Sequence, residues 1–363
     1  MIRAMVLRHA SDIHIHASAP PYMRVNGDLR QLENARAFTA EQTMQIAKSM
    51  MPPKSYEVFE KQHEMDFAFM IPNLARFRCN VFYQRGSVSI VMRVVEEHVP
   101  DFDTLGLPSA IVTQFSSQTR GFVLITGPTG SGKSTTLASM IDYINEHYKR
   151  NIITVEDPIE ILHRNKRSLV VQRELGSDTF SFSGALKYAM RQDPDVIMIG
   201  EMRDRATVEA AITAAQTGHL VFSTLHTLDS IRTVNRIIDF FPPHERDQIR
   251  IMLAESLLGI MSQRLLLHAN GEQRILASEV LVNTPLIRDY IKDETKTSDI
   301  KQALMEGREA GMRTFDQHLL DLWLAGDVTE EEAVAYATSP HEMLVWMSQK
   351  RQLKNEQQEQ PRF

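Results

Sequence analysis

The chain has 363 residues, of which 43% are hydrophobic and 24% charged, and its 40 basic and 46 acidic residues leave a formal net charge of −6. Such a length is ample for two domains, and the composition excludes collagen-like and mainly disordered chains. The acidic balance argues against a protein that coats nucleic acid, and a single cysteine, Cys79, excludes a disulfide framework and a multi-cysteine zinc site.

Residues 1–95 read as a small α+β domain. Short alternating runs surround Ile13, Ile15 and Val25, and Asn26-Gly27-Asp28 between two of them predicts a hairpin. Thr39 and Glu41 open a helix that Met51-Pro52-Pro53 ends, and a second short helix covers about 54–62. Three strands follow, FAFMI, ARFRCNVFYQR and SVSIVMRVV. In the middle one Phe77, Cys79, Val81 and Tyr83 alternate with polar residues, so Arg76 and Arg78 share a face. Residues 96–104 are acidic, contain a proline and read as a linker.

Residues 105–285 alternate apolar strands with helical segments. Strands are expected at 122–126, 151–155, 196–199 and 220–224, which predicts a mostly parallel sheet covered on both faces. Residues 286–348 read as helices with short connections. The polar, glutamine-rich stretch 349–363 is expected to be a disordered tail. No apolar run approaches the ~20 residues that span a bilayer. With no signal-peptide core near the N-terminus, an intracellular protein is expected.

The strongest motif is GPTGSGKS, residues 127–134, between the strand FVLIT and the helix STTLASMIDYI. It fits the phosphate-binding pattern G-x-x-x-x-G-K-[ST] in its proper strand–loop–helix setting. Gly127, Gly130 and Gly132 let backbone curl around a phosphate, Pro128 lies in the same loop without an N–H of its own, and the successive N–H groups from Thr129 through Ser131 to Thr135, with the helix N-terminus, face the anion. Lys133 reaches the β- and γ-phosphates, and Ser134 is placed to ligate Mg²⁺.

Hydrolysis needs carboxylates near the γ-phosphate as well. In DVIMIGEMRD, residues 195–204, Glu201 follows a buried strand and lies at the sheet edge where ligands bind, whereas Asp195 lies at the opposite edge. Gly200 stands where many such enzymes carry an aspartate. In IITVEDPIE, Glu156 and Asp157 end another strand at the same edge; one activates or positions water and one binds Mg²⁺, and spacing alone does not divide these roles. In TGHLVFSTLHT, His219 and His226 flank a third strand; His226 is at its far end on the nucleotide side, where an imidazole suits a γ-phosphate or the attacking water, and His219 reads as a structural or a nucleotide-binding residue. Arg76, Arg78, Arg85 and Arg93 read as exposed strand residues or as arginine fingers that reach nucleotide across a domain or subunit boundary. Asp12, His14 and His16 alternate at a spacing that suits a metal but also suits a plain strand. The basic run His163, Arg164, Lys166 and Arg167 reads as a solvated or interface loop.

Together these segments resemble the secretion ATPases of the GspE/PulE type, and within them the pilus-retraction branch typified by PilT and PilU. GPTGSGKS resembles that family's Walker A loop, ITVEDPIE its aspartate box, IMIGEMRD its atypical Walker B and TGHLVFSTLHT its histidine box. ASDIHIHASAPPYMRVNGDLRQL and RFRCNVFYQRG resemble the N-terminal domain of the retraction branch, and MRTFDQHLLDLW its C-terminal helical region. The resemblance implies a PAS-like N-terminal domain, a RecA-like P-loop core and a C-terminal helical region. It implies a homo-hexamer at the cytoplasmic face of the bacterial inner membrane, using ATP and Mg²⁺ to act on an inner-membrane pilus platform protein, with neither zinc nor nucleic acid. Thr284-Pro285-Leu286-Ile287-Arg288-Asp289-Tyr290-Ile291 departs from the PilT pattern, and SDIKQALMEGREAGMRTFDQ is closer to PilU. An accessory subunit that assists a paralogous retraction ATPase is therefore the alternative reading, and a nucleic-acid-translocating motor a third.

Overall fold

A computed structural model describes residues 2–359 apart from Asn26 and Asn73, so the first residue of the expected Asn26-Gly27-Asp28 turn lies outside the described residues. The chain divides into two compact units. One comprises the chain up to His98 together with Glu160–Leu162, and the other comprises Val99–Ile159 and the chain from His163. The division falls inside the segment expected as a linker.

The first unit is built on six strands: β1 (Asp12–Ile15), β2 (Tyr22–Val25), β3 (Asp28–Gln31), β4 (Glu64–Ile71), β5 (Ala75–Gln84) and β6 (Ser87–Val94). They form one antiparallel sheet in the order β3-β2-β1-β6-β5-β4. Strand alternation sends Phe77, Cys79 and Val81 of β5 and Ile90 and Met92 of β6 to one face. There they pack with Ala47, Met50 and Phe59 of the helices Ala40–Met50 and Pro53–Gln62. The first of these helices opens on a reciprocal cap, in which Thr39 Oγ1 accepts from Gln42 N and Gln42 Oε1 accepts from Thr39 N. Ile161 pairs with Glu96 in an isolated bridge, which brings Glu160–Leu162 into this unit.

The second unit is built on seven strands: β7 (Gly121–Thr126), β8 (Asn151–Glu156), β9 (Leu169–Glu174), β10 (Val196–Ile199), β11 (Leu220–Leu225), β12 (Leu257–Leu267) and β13 (Arg274–Val282). Their order is β13-β12-β7-β11-β10-β8-β9, with all neighbours parallel except β13 on β12. Every residue of β7, β10 and β11 is buried, as expected of parallel strands sheathed on both faces. Phe122, Leu124, Ile197 and Val221 face the helices Phe182–Ala189, Arg205–Gln216, Ser230–Asp239 and Arg246–Ser256. Val123, Ile125, Met198 and Phe222 face Ser109–Ser117 and Lys133–His147.

The four expected strands are present. β9, β12 and β13 are additions that widen the sheet at both ends. The helices Phe315–Ala325, Glu330–Tyr336 and Pro340–Glu359 gather around Leu266 and Ala277 of β12 and β13 and belong to the second unit. The last of them continues to Glu359, where a disordered tail was expected from 349; residues 360–363 lie outside the described residues.

Candidate active site

Parallel order places the carboxyl ends of β7, β11, β10 and β8 side by side, so the loops that follow them form one edge. The loop after β7 is the glycine-rich motif. Gly127, Gly130 and Gly132 have φ of 144°, 79° and 90°, which side-chain-bearing residues rarely adopt. A Cβ on Gly127 would also lie 2.4 Å from Gln263 O and 2.5 Å from Ser131 Oγ, so the curl admits only glycine. Helix Lys133–His147 starts on Gly132 without a side-chain cap, whereas Ser181, Asp204 and Asp229 cap the helices after β9, β10 and β11. Its first amides are thus left for an anion, and Ser134 is exposed at this end. The loop fits the phosphates of a nucleotide.

Lys133 is buried, and its Nζ donates to Gly127 O and Pro128 O at 2.9 Å each. His226, just past β11, brings Nδ1 to 3.5 Å from the same Nζ. On the other side of the ring, His226 Nε2 lies 3.3 Å from Glu201 Oε1. Glu201 Oε2 accepts from Arg203 Nε at 2.8 Å, and Arg203 Nη1 reaches Asp157 Oδ2 at 3.4 Å. The P-loop, the histidine box, the Walker B strand and the aspartate box are thereby joined in one polar chain. Glu156 is buried beside it, with Oε1 accepting from Thr154 Oγ1 at 2.6 Å and from Gln172 Nε2 at 3.0 Å.

His219 stands at the start of β11, about 20 Å from His226 at ~3.3 Å per residue. Its Nδ1 is 2.9 Å from Ala214 O and 3.3 Å from Thr217 Oγ1, so it braces a helix end at the sheet edge opposite this chain's own P-loop. Arg76, Arg78, Arg85 and Arg93 all lie in the first unit. Arg76 and Arg78 share the outward face of β5, Arg85 occupies the β5–β6 turn at φ 50°, and Arg93 is cross-strand neighbour to Arg78. Arg93 Nε pairs with Asp12 Oδ1 at 2.7 Å, and His16 Nδ1 is 2.9 Å from Ser89 Oγ. Asp12, His14 and His16 lie on or beside β1, and among the described residues no group of three or more metal-ligating side chains is found. In the basic run, Lys166 pairs with Asp142 at 2.8 Å and Glu146 at 3.5 Å on the helix after the P-loop.

Several side chains of the site escaped the sequence reading. Arg203 lies two residues past Glu201, inside a motif already singled out, and the carboxylates on both sides were the signal for it. Gln172 was invisible without β9, whose register sets it opposite Thr154. Gln263 donates to Thr136 Oγ1 at 2.8 Å while its carbonyl backs Gly127, and it sits on the unexpected β12.

Residues 1–334 match the family described as Type II/IV secretion system protein. The chain is 43% identical over 331 residues to the type IV pilus retraction ATPase PilT of Pseudomonas aeruginosa, covering 91% of this chain and 95% of that one. It is 40% identical over 343 residues to the type IV pilus ATPase PilU of the same organism, covering 94% and 89%. A crystal structure of the pilus retraction motor PilT with bound ADP superposes with a TM-score of 0.86 at 44% identity, covering 94% of this chain and 97% of that one. Among the described residues no helix is long and apolar enough to cross a membrane. The chain belongs to the type II/IV secretion system protein family, and within it to the ATPases of the pilus-retraction branch.

Proposed function

We propose that this ATPase is the motor for type IV pilus retraction, working as a homo-hexamer on an inner-membrane platform protein at the cytoplasmic face of the membrane. The observation that carries the reading is the polar chain from Lys133 through His226, Glu201 and Arg203 to Asp157. It links the lysine of the phosphate loop to carboxylates on two further strands, which is the arrangement phosphoryl transfer to water requires. In this reading Lys133 holds the β- and γ-phosphates, His226 touches the γ-phosphate end, and Glu201 and Glu156 serve turnover. Ser134 and Asp157 are oxygen donors suited to Mg²⁺, which supplies positive charge to the phosphate oxygens when bound. Arg78, with Arg76, Arg85 and Arg93 on the same sheet, is the source of an arginine finger supplied to a neighbouring subunit.

The nearly equal identities to PilT and PilU, 43% and 40%, support a second reading as an accessory subunit that assists a paralogous motor. Cells lacking the protein separate the two. Surplus unretracted pili that persist when the paralogue is intact support the motor. Normal retraction in those cells, with weak turnover by the purified protein, supports the accessory role. Strong stimulation of turnover by DNA or RNA counts against both.

A further inference from the structure

Arg250, on the helix Arg246–Ser256, is 4% exposed. A guanidinium so deeply buried is costly unless a counter-charge meets it. Among the described residues no carboxylate pairs with Arg250. Its two hydrogen bonds both leave from Nη1, to Ile291 O at 3.2 Å and Thr297 Oγ1 at 3.1 Å. The first satisfies a carbonyl in the last turn of the helix Pro285–Lys292, where carbonyls lack partners within the helix. That is a structural task, and it uses one nitrogen of the fork. The Nε/Nη2 edge makes no hydrogen bond among the described residues.

The same side chain lines an open cleft of about 440 Å³. Asn235, Thr297 and Ser298 bring further hydrogen-bonding groups to its walls. Arg246 also lines it, with Nη2 3.4 Å from Asp239 Oδ1. Glu294 lines it as well.

We infer that this cleft is a carboxylate-binding site, shaped for an acidic side chain of a partner polypeptide. The side-on edge of a guanidinium matches the two oxygens of one carboxylate, and burial strengthens that pairing. Asp239 and Glu294 in the lining disfavour any anion, and a doubly charged phosphate more than a single carboxylate. They also offer acceptors to amide or basic groups beside it, which a polypeptide carries and a small organic acid does not.

The test is isothermal titration of the full-length protein with four probes: the peptide Ac-Ala-Glu-Ala-NH₂, its glutamine analogue, succinate and inorganic phosphate. The glutamate peptide is expected to bind about 10-fold or more tightly than the glutamine peptide, the scale of a hydrogen bond to a charged group. Arg250→Gln, which keeps a donor for Ile291 O, is expected to erase that difference. Arg250→Lys is expected to restore only part of it, because an ammonium offers no planar fork. If either variant fails to fold, Arg246→Gln at the rim carries the same test with a smaller expected loss. Succinate binding more tightly than the peptide overturns the polypeptide source. Phosphate binding more tightly than either carboxylate, or equal binding of the glutamate and glutamine peptides, overturns the site.

Discussion

Gly200 explains a departure from the usual pattern at its own position. A Cβ there would come within 3.3 Å of Glu156 Cα and Val155 O, so the aspartate that many P-loop enzymes place before their glutamate would need the end of β8 to shift by a few tenths of an ångström. In the proposed reading Glu201 acts with a carboxylate from the neighbouring strand. Glu201→Gln keeps shape and removes charge, and is expected to cut steady-state ATP turnover by about 10²-fold or more while nucleotide binding persists. Lost ATP affinity with unchanged single-turnover chemistry would assign Glu201 to binding instead. A second buried group sets a pH limit. His318 Nδ1 accepts from Ser278 N at 2.9 Å, and burial, with Arg313 nearby, pushes its pKa down from 6.5 to about 3. Below about pH 6.5 the unfolded chain takes up a proton that the folded chain refuses. Stability from this group is therefore complete above 6.5 and falls as pH drops toward 3, by about 1.4 kcal/mol per unit. Urea unfolding at pH 7 and pH 5 is expected to differ by about 2 kcal/mol from this source. His318→Asn, which keeps an acceptor but does not titrate here, is expected to remove that part; an unchanged pH slope would refute the assignment.

At the scale of elements, Arg150 shows how a strand entry and a helix exit are tied. Its guanidinium donates to Ser116 O, Ser117 O and Gln118 O at the end of helix Ser109–Ser117 and stacks 4.5 Å from the Tyr148 ring. These are the unpaired last-turn carbonyls of that helix, and burial lowers the Arg150 pKa without removing its charge. Arg150→Ala is expected to destabilise the second unit by about 1.5–3 kcal/mol, read as a lower urea midpoint at unchanged slope. A change within 0.5 kcal/mol, the usual surface-substitution scale, would make the capping decorative. The four inner strands were legible because each is a short apolar run flanked by turn or motif residues. β12 and β13 were not, since SLLGIMSQRLLL follows a helix without a proline break, its Gly259 lies inside the strand rather than before it, and its apolar content suits helix or strand alike. β9 is an edge strand with mixed polarity, so it has neither a continuous run nor a clean alternation. The site residues that depend on these strands, Gln172 and Gln263, were hidden for the same reason. The sequence already sets His219 and His226 at the two ends of one strand, and a parallel strand sends those ends to opposite edges of the sheet, so the distance of His219 from this chain's own P-loop was legible.

For the whole molecule, the proposed arginine finger makes a ring the working object. Fingers supplied in trans raise phosphoryl-transfer rates by about 10³–10⁵. Arg78→Ala and Lys133→Ala subunits are each expected to be inactive alone. Mixed in one ring, they generate some interfaces with an intact loop and an intact arginine, and part of the ATPase activity is expected to return. Rings shown to be mixed yet silent would place Arg78 in cis, and the same design extends to Arg76, Arg85 and Arg93. The chain path adds a mechanical consequence. Glu160–Leu162 belong to the first unit, although the residues on either side of them belong to the second. The polypeptide therefore crosses between the units three times, and one crossing comes two residues after Glu156-Asp157-Pro158. A covalent tether thus runs from the first unit to the strand end that carries the acidic pair. With the proposed nucleotide site at that strand end, the rate of ATP consumption is expected to vary with the tension on whatever the motor pulls, which turnover measured under load would check.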